Sequence, residues 1–372
     1  MIPLSLAMIV RNEAEVLPGF FKHHQGMWGE TVVVDTGSTD GTVALCRQAG
    51  CRLVEVPWQD DFSAARNAGL DLVTGPWTLI LDADERLSPA DLPCLHDLCA
   101  GSPDKVYLQE TRNYTPNRTH LEWQPVTGRD PQAERGQSGF FAARRAGLFP
   151  NRTDLRFTGR IHESILPQAT SLGLEAVPCT IPVHHYGYVR SQEVNSARQA
   201  RYLKLAQLKL AGDPDDAGAL LELATCLLEA GRPAEAQPLL ERLVLGKAGL
   251  SHVVRGHFLL GRLLREQGQL VAAEDLLSQG VEQDPAFRFT RLELIRVRGD
   301  LEQWRSVNDL LEEAKARFGP ESPLFMREEL RLCIKTGQLP RAARLARRLA
   351  EICPDWTEIV SLAQKLEALT GG

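Results

Sequence analysis

The sequence lacks the features that mark several large classes of protein. Its 372 residues contain no apolar run approaching the roughly 20 residues that a membrane-spanning helix needs. The net charge of -6 is the opposite of the basic excess with which a sequence-independent nucleic-acid binder displaces counterions from phosphates. We therefore expect no transmembrane segment and no nucleic-acid partner.

The cysteines also lack the patterns of metal-binding and disulfide-rich proteins. The eight are scattered, with no CxxC pair and no dense framework, which is typical of thiols in a reducing cytosol. The apolar N-terminus, MIPLSLAMIV, has neither the basic region nor the cleavage site of a signal peptide, and it indicates a first strand. We expect a cytoplasmic protein, with any membrane association being peripheral, at the inner membrane.

Length and pattern indicate two domains. A chain of 372 residues exceeds what one hydrophobic core usually supports. Up to about residue 190, short β-rich runs alternate with helical stretches, which is typical of a mostly parallel α/β sheet. Strand signals then vanish and helical periodicity continues to the end. We predict an α/β domain over residues 1–195 and an all-α domain over residues 196–372.

Residues 112–160 interrupt the α/β pattern. The segment is rich in Pro, Gly, Asn and Arg, and it shows little periodicity. Unstructured segments of this length inside compact domains are usually functional flaps or disordered. We predict a mobile lid here.

The helical part repeats itself. Gly231, Ala236 and Leu240 recur at an offset of 37 residues, and a similar unit follows near the C-terminus. Glycine permits the turn of a helical hairpin, and alanine lets two helices approach each other. Over roughly residues 210–360 the pattern resembles tetratricopeptide repeats, whose period is about 34 residues. The alternative is an irregular helical bundle.

Polar residues follow each of the first strands. In an open α/β sheet, ligands bind outside the carboxyl ends of the strands. In the segment WTLILDADE, Asp82 and Asp84 are two residues apart, so both point to the same side of a strand. One carboxylate would suit a pair of ribose hydroxyls and the other a divalent cation. The alternative is that both are turn or helix-cap residues.

Four segments together carry a family resemblance. MIVRNE, VVVDTGSTDGT, DDFSAARNAGL and GPWTLILDADE, in this order and spacing, resemble the nucleotide-binding half of glycosyltransferase family 2. The resemblance implies a GT-A fold, an α/β Rossmann-like domain with a mostly parallel sheet. It also implies a nucleotide-sugar donor, with UDP as the expected nucleotide, and Mg²⁺ or Mn²⁺ as the cofactor.

The resemblance implies roles for particular residues. Asp35 matches the acid that hydrogen-bonds the nucleotide base, and Asn12 lies in the turn around that base. Arg66 and Asn67 match a segment that reaches towards the base and the diphosphate, where a guanidinium suits charged oxygens.

The acids after the fourth strand match the centre of the family site. Asp82 corresponds to the ribose contact and Asp84 to the metal ligand. GT-A enzymes often use a late histidine as a further metal or diphosphate ligand, and the segment IPVHHYGYV offers His184 and His185. Of the two we prefer His185.

Family 2 enzymes generally invert the anomeric centre, so a carboxylate should deprotonate the attacking acceptor hydroxyl. The segment LRFTGRIHESIL resembles the acceptor-side stretch of family members that carry repeats, and it makes Glu163 the candidate base. The alternative is a surface glutamate on a strand in a salt bridge with Arg160.

The favoured interpretation is an inverting, metal-dependent hexosyl- or related transferase. Its helical repeats would bind an acceptor protein, peptide or glycan, or a second copy of the enzyme. A lipid-linked acceptor is the alternative, and the repeats slightly favour a protein. One rival is a non-catalytic scaffold with a vestigial nucleotide-binding domain. A nucleotidyl- or phosphotransferase is disfavoured, because the sequence has no GxxxxGK[ST] loop.

Overall fold

The computed structural model describes residues 2–117, 122–126, 128, 130–189, 192–246, 249–354 and 356–370. The chain divides into two compact units, Met1–Leu205 and Ala206–Gly372. The division that the sequence predicts after residue 195 falls within a helix that runs from Gln192 to Gly212.

The first unit is built on a mixed sheet of ten strands. They are β1 (Ile2–Val10), β2 (Trp28–Asp35), β3 (Arg52–Glu55), β4 (Trp77–Ile80), β5 (Glu85–Arg86), β6 (Lys105–Tyr114), β7 (Gln124–Pro125), β8 (Gly139–Pro150), β9 (Glu175–Pro178) and β10 (Val183–His185). The main order is β3-β2-β1-β4-β8-β6-β10-β5, with β7 paired to β8 and β9 to β6. Strands β3, β2, β1 and β4 are parallel to one another.

Within the described residues, six short α-helices accompany this sheet. They are α1 (Leu17–His23), α2 (Thr42–Gln48), α3 (Phe62–Leu70), α4 (Leu92–Cys99), α5 (Pro131–Glu134) and α6 (Leu166–Ser171). Single 3₁₀ turns form at Pro89–Asp91 and Gly187–Val189.

The central strands are apolar without alternation because both of their faces are buried. In β1, Leu6 and Met8 on one face and Ala7 on the other are almost fully buried. The two faces belong to two separate clusters of core side chains. A strand covered on both sides excludes water from both rows of side chains, so a continuous apolar run is what it needs.

The prediction of a mobile lid over residues 112–160 is wrong for most of the described part of that segment. Strand β8 occupies Gly139–Pro150 and pairs antiparallel with β6 and β4, which places it inside the sheet. Its Arg144 and Arg145 and its glycines hide the strand pattern in the sequence. Gly147 is required because a side chain there would collide with Gln109 of β6. Residues 118–121, 127 and 129 lie outside the described part.

The second unit consists of paired helices. Helix α7 (Gln192–Gly212) crosses into it, and α8 (Ala217–Glu229), α9 (Pro233–Leu245), α10 (Leu250–Glu266), α11 (Leu270–Gln283), α12 (Arg288–Asp300), α13 (Trp304–Phe318), α14 (Pro323–Lys335), α15 (Leu339–Ile352) and α16 (Thr357–Thr370) follow. No described helix combines the length and the apolar composition that a bilayer crossing requires.

The repeat residues occupy the positions that the sequence predicts. Gly231, Gly268 and Gly337 each have φ between 70° and 77° at the turn of a hairpin. The repeated alanines, including Ala236 and Ala273, are fully buried where the paired helices meet. In the degenerate repeat, Glu302 takes the left-handed turn with φ of 58°, a conformation that costs more without glycine.

Burial of His24 predicts a pH-dependent stability. Burial lowers the pKa of this imidazole to about 2, and the neighbouring His23 and Arg86 add to the shift. The folded protein therefore keeps His24 neutral, whereas the unfolded chain binds a proton below its ordinary pKa. Stability should fall as the pH drops below about 6.5, by up to about 1.4 kcal/mol per pH unit from this residue.

Urea unfolding at pH 7 and pH 5.5, followed by tryptophan fluorescence, measures this dependence. Trp28 is a local reporter because its ring centroid lies 5.0 Å from that of His24. The variant His24→Asn should lose part of the slope. An identical pH slope in both proteins would contradict the assignment.

Candidate active site

Sheet order gathers the predicted site residues at one edge. Strand β1 lies between β2 and β4, and all three run in the same direction. Adjacent strands are about 4.8 Å apart, so the ends of β2 and β4 are separated by roughly 10 Å. Asp35 ends β2, Asn12 follows β1, and Asp82 and Asp84 follow β4.

Asp35 is a buried carboxylate with one oxygen uncommitted. Its side chain is 2% exposed. Oδ1 accepts the backbone N–H groups of Gly37 and Ser38 at 3.0 and 2.9 Å. Oδ2 is buried and makes no hydrogen bond within the described residues. A buried acceptor without a donor is costly, so this oxygen is suited to accept an N–H group from a ligand.

Asn12 orders the loops around Asp35. It adopts a left-handed conformation with φ of 55°, which asparagine tolerates better than most residues. Its side-chain oxygen accepts the N–H of Thr39 at 2.8 Å, and its own N–H donates to Ser38 Oγ at 2.8 Å. Asn12 therefore joins the loop after β1 to the loop after β2. Its contact with a nucleotide base stays a prediction.

Arg66 is the buried cation of the site. Its Nη2 lies 2.9 Å from Asp82 Oδ1, and its Nε lies 3.1 Å from Glu163 Oε1. Burial opposes its charge, but the two carboxylates outweigh burial and raise its pKa. The guanidinium joins two segments 97 residues apart in sequence, Arg66 on α3 and Glu163 on its loop. Its Nη1 is buried and has no hydrogen-bond partner within the described residues.

Helix α3 presents Arg66 because its ends and its small residues are fixed. Asp61 caps the helix by accepting the N–H of Ala64 at 3.0 Å. Gly69 brings the helix close to the sheet, since a Cβ there would lie only 3.0 Å from Val34.

Asn67 supports the segment that leads to Glu163. Its Nδ2 donates to the carbonyl of Phe157 at 3.0 Å, and its Oδ1 accepts the N–H of Phe157 at 2.9 Å. These two bonds tie the backbone of the loop to α3. The contact of Asn67 with a donor stays a prediction.

The three acids of the segment DADE have different surroundings. Burial opposes ionisation of Asp82, but Arg66 and Arg145 outweigh it and hold its pKa below the usual value. Glu85 is almost fully buried, pairs with Arg145 and accepts the N–H of Asp82 at 2.8 Å. Burial raises the pKa of Glu85 even though Arg145 opposes the shift. Glu85 thus fixes the turn that presents Asp82.

Sequence reasoning missed Arg145. It lies on β8, inside the segment predicted to be a lid, and its Nη1 lies 3.8 Å from Asp82 Oδ2. The antiparallel pairing of β8 with β4 places Arg145 beside the acids. The sequence could have indicated this only if GFFAARRAGLFP had been predicted to be a strand.

Asp84 and His185 form a further pair after the end of β4. His185 Nε2 lies 3.5 Å from Asp84 Oδ1. Strand β10 brings them together, because His185 pairs with Glu85 in the register with β5. His185 Nδ1 donates to Asn113 Oδ1 at 2.6 Å, which directs Nε2 towards Asp84. Burial works against protonation of His185, but its bond with Asp84 outweighs burial and raises its pKa.

The neighbouring His184 points away from this pair. It is fully buried, and its Nδ1 lies 2.7 Å from the hydroxyl of Tyr114. Burial lowers its pKa to about 4. The alternation of a strand therefore assigns the two histidines to different surroundings, with His185 alone beside Asp84.

The residues fit a divalent cation whose remaining ligands come from the substrate. Within the described residues, no group of three or more His, Cys, Asp and Glu side chains could hold a metal by itself. Asp84 and His185 offer one carboxylate and one imidazole, and the imidazole is oriented by Asn113 as metal-bound histidines usually are. Mg²⁺ typically takes one or two carboxylates, with substrate phosphates and water as its other ligands.

Glu163 lies beside Arg66 and not beside Arg160. It is half-buried and follows His162, whose φ of 50° marks a tight turn. The alternative of a strand residue paired with Arg160 is therefore wrong in both respects. The carbonyl of Arg160 instead accepts the N–H of Phe62 at 2.9 Å, which ties this loop to the start of α3.

Comparison with known proteins identifies the families that the two parts of the chain resemble. The family model described as "Glycosyl transferase family 2" matches residues 5–161, and two models of tetratricopeptide repeats match residues 196–253 and 254–279. This chain carries a glycosyltransferase family 2 domain. Tetratricopeptide repeats follow it, and both halves of the predicted fold class are confirmed.

Curated relatives include proteins from several bacteria. A TPR repeat-containing protein of Synechococcus elongatus is 33% identical over 74% of this chain and 65% of its own length. The lipopolysaccharide core biosynthesis glycosyltransferase LpsC of Rhizobium meliloti is 31% identical over 45% of this chain and 58% of its own. The SPbeta prophage-derived glycosyltransferase SunS of Bacillus subtilis is 24% identical over 57% and 46%. The chain thus spans less than two thirds of the length of these relatives.

Solved structures that resemble part of this chain include MamA and YrrB. YrrB is described as a TPR protein with an unusual peptide-binding site. MamA is 14% identical, with a TM-score of 0.37 over 45% of this chain and 98% of its own. YrrB is 14% identical, with a TM-score of 0.38 over 46% and 86%.

Gly187 should be essential for the Asp84–His185 pair. A Cβ on this residue would collide with His185 Nε2 and lie 2.9 Å from Asp84 Oδ2. Gly187→Ala should therefore move one of the two side chains and weaken Mn²⁺-dependent UDP binding by roughly tenfold to 100-fold, the effect typical of disturbing the surroundings of a metal ligand. Isothermal titration calorimetry measures the change.

Gly29→Ala is the matched control, because nothing lies within 4 Å of a Cβ built there. It should bind UDP and Mn²⁺ like the wild type. Equal affinities in all three proteins would show that Gly187 does not shape a metal site.

Proposed function

We propose that the protein is a metal-dependent, inverting glycosyltransferase that takes its sugar from a UDP-activated donor. The observation that carries the proposal is the arrangement at the ends of β2 and β4. At the end of β2, a buried carboxylate oxygen of Asp35 has no hydrogen-bond donor within the described residues. The Asp84–His185 pair lies after the end of β4. The separation of roughly 10 Å between these strands suits a nucleotide that lies across the end of β1.

Each end of this arrangement has its own chemistry. The Oδ2 atom of Asp35 would accept the imide N–H of a uracil base. Asp82, whose Oδ2 faces Arg145 at 3.8 Å and whose Oδ1 is held by Arg66, would contact the ribose. Asp84 and His185 would hold Mg²⁺ or Mn²⁺, which neutralises charge on a departing diphosphate when bound.

Glu163 is proposed as the base that deprotonates the acceptor hydroxyl. Arg66 binds both Glu163 and Asp82, so the carboxylate of Glu163 is held at a fixed position relative to the donor site. A carboxylate held in this way can take the proton of an acceptor hydroxyl that approaches it.

The acceptor is proposed to be a protein, a peptide or a glycan that the helical repeats bind, and a second copy of the chain is a further partner. Repeat helices of this kind form extended surfaces on which a flexible chain can lie. A reducing compartment such as the cytoplasm suits a protein in which no disulfide is present among the described residues.

Replacement of Asp84 tests the metal role. Asp84→Asn keeps the size of the side chain but removes the negative charge that a hard cation requires. Metal-dependent UDP binding and hydrolysis of the UDP-sugar should fall by at least about 100-fold, because the charge compensation of the leaving group is lost. Calorimetry with UDP and Mn²⁺, and release of UDP from a panel of UDP-sugars, measure both effects.

Asp97→Asn serves as the control, because this carboxylate is on the surface at 86% side-chain exposure. It should behave like the wild type. Wild-type binding in Asp84→Asn would refute the metal role, and absence of UDP binding in the wild type would favour the non-catalytic scaffold.

Replacement of Glu163 tests the base. Glu163→Gln keeps a hydrogen-bond acceptor for Arg66 but cannot take a proton. Transfer to the acceptor should fall by about 10²- to 10⁴-fold in kcat, the usual contribution of a general base, with little change in the affinity for UDP. Steady-state kinetics combined with calorimetry separates the two.

A parallel loss of UDP affinity and rate in Glu163→Gln would assign this residue to donor binding instead. Glu175→Gln, an exposed glutamate at the start of β9, provides the matched control and should leave both quantities unchanged.

A further inference from the structure

The first part of helix α7 belongs to the same compact unit as the α/β sheet. The unit ends at Leu205, so Arg198, Tyr202 and Lys204 are part of it. Residues 198, 202 and 205 are spaced by four and three positions, which places them on one face of the helix. Leu205 is fully buried, which marks this face as the packed side of the helix.

Three contacts fix α7 beside the candidate site. The ring of Tyr202 stacks on Phe62, the first residue of α3, with 6.0 Å between centroids. It also lies 6.1 Å from the ring of His162, which precedes Glu163. Lys204 Nζ lies 2.6 Å from Asp60 Oδ2. The helix is therefore held at both the α3 side and the Glu163 side of the site.

Electrostatics agrees with this position. Burial raises the pKa of the Tyr202 hydroxyl, and the carboxylates of Glu163 and Asp82 raise it further. A phenol that is influenced by both of these acids lies close to the centre of the proposed donor site.

Arg198 extends the helix face towards the metal side. Its guanidinium lies over the ring of Tyr188, 4.5 Å from the centroid. The ring of Tyr188 in turn lies 5.7 Å from that of His185. One aromatic ring therefore separates Arg198 from the Asp84–His185 pair. A guanidinium stacked on a ring keeps its N–H donors available in its own plane.

Arg198 forms no ion pair with any residue in the described ranges, unlike Arg66 and Arg145. Arg66 and Arg145 are both engaged with carboxylates. The four carboxylates of the site face three engaged guanidiniums, those of Arg66, Arg145 and the buried Arg86. A bound diphosphate adds further negative charge, and a fourth guanidinium beside His185 would help to offset it.

We propose that Arg198 of helix α7 binds the diphosphate of the donor, with Tyr188 as the platform that positions its guanidinium. This inference rests on the proposed function, because it assigns a further residue to the same donor site. It makes a helix that leads into the repeats part of the donor pocket, so the α/β domain predicted to end at residue 195 would lack one of its ligand contacts.

The test compares ligands with and without phosphate on the full chain. Isothermal titration calorimetry with UDP and with uridine, each with Mn²⁺, is carried out on the wild type, Arg198→Ala, Arg198→Lys and Arg47→Ala. Arg47 is the matched control, because it is an exposed arginine in a surface pair with Glu55.

Arg198→Ala should weaken UDP binding by roughly tenfold to 100-fold, as expected for the loss of hydrogen bonds between charged groups, and leave uridine binding unchanged. Arg198→Lys should lie between the two, because it keeps the charge but not the planar fork. Arg47→Ala should match the wild type.

Two results would overturn the inference alone: unchanged UDP affinity in Arg198→Ala, or an equal loss for UDP and uridine, which would mean that Arg198 only supports the fold. Failure of the wild-type protein to bind UDP with Mn²⁺ would instead overturn the proposed function, and the assignment of Arg198 with it.

Discussion

The buried guanidinium of Arg66 holds the site together. Its bonds to Asp82 and Glu163 connect the end of β4, helix α3 and the loop after β8. Removing a charged group from water costs several kcal/mol, and only well-placed partners offset that cost. Loss of either partner would leave an uncompensated buried charge, so the three segments are held in one arrangement. The donor-side acid and the candidate base are consequently positioned by the same residue.

A second constraint comes from the strands added beyond the parallel part of the sheet. Strand β8 brings Arg145 to Asp82 and Glu85, and β10 brings His185 to Asp84. The first four strands therefore supply acids, and the later strands supply the cation and the imidazole that face them. This division explains why the acids cluster in sequence whereas their partners are widely separated from them.

Local patterns were sufficient for the features that depend on local geometry. The apolar runs predicted β1, β2 and β4, and the motif order predicted that Asp35, Asp82 and Asp84 would lie at one edge of a sheet. The glycines of the repeats predicted the hairpin turns, because a left-handed turn costs least for a residue without a side chain. The segment over residues 112–160 was misjudged because β8 carries Arg145, which serves the site, and a strand that carries function departs from the usual alternation.

The sequence by itself determined the two fold classes, the repeat period and the acids of the donor edge, since each is encoded by residues that are close together in the chain. Only the tertiary structure decided that Arg66 connects Asp82 with Glu163, that Arg145 pairs with Glu85, and that His185 faces Asp84 while His184 faces Tyr114. These pairings join residues between 16 positions apart, for Arg66 with Asp82, and 101 positions apart, for Asp84 with His185. Strand register and helix packing fix such pairs, and neither is a local property of the sequence.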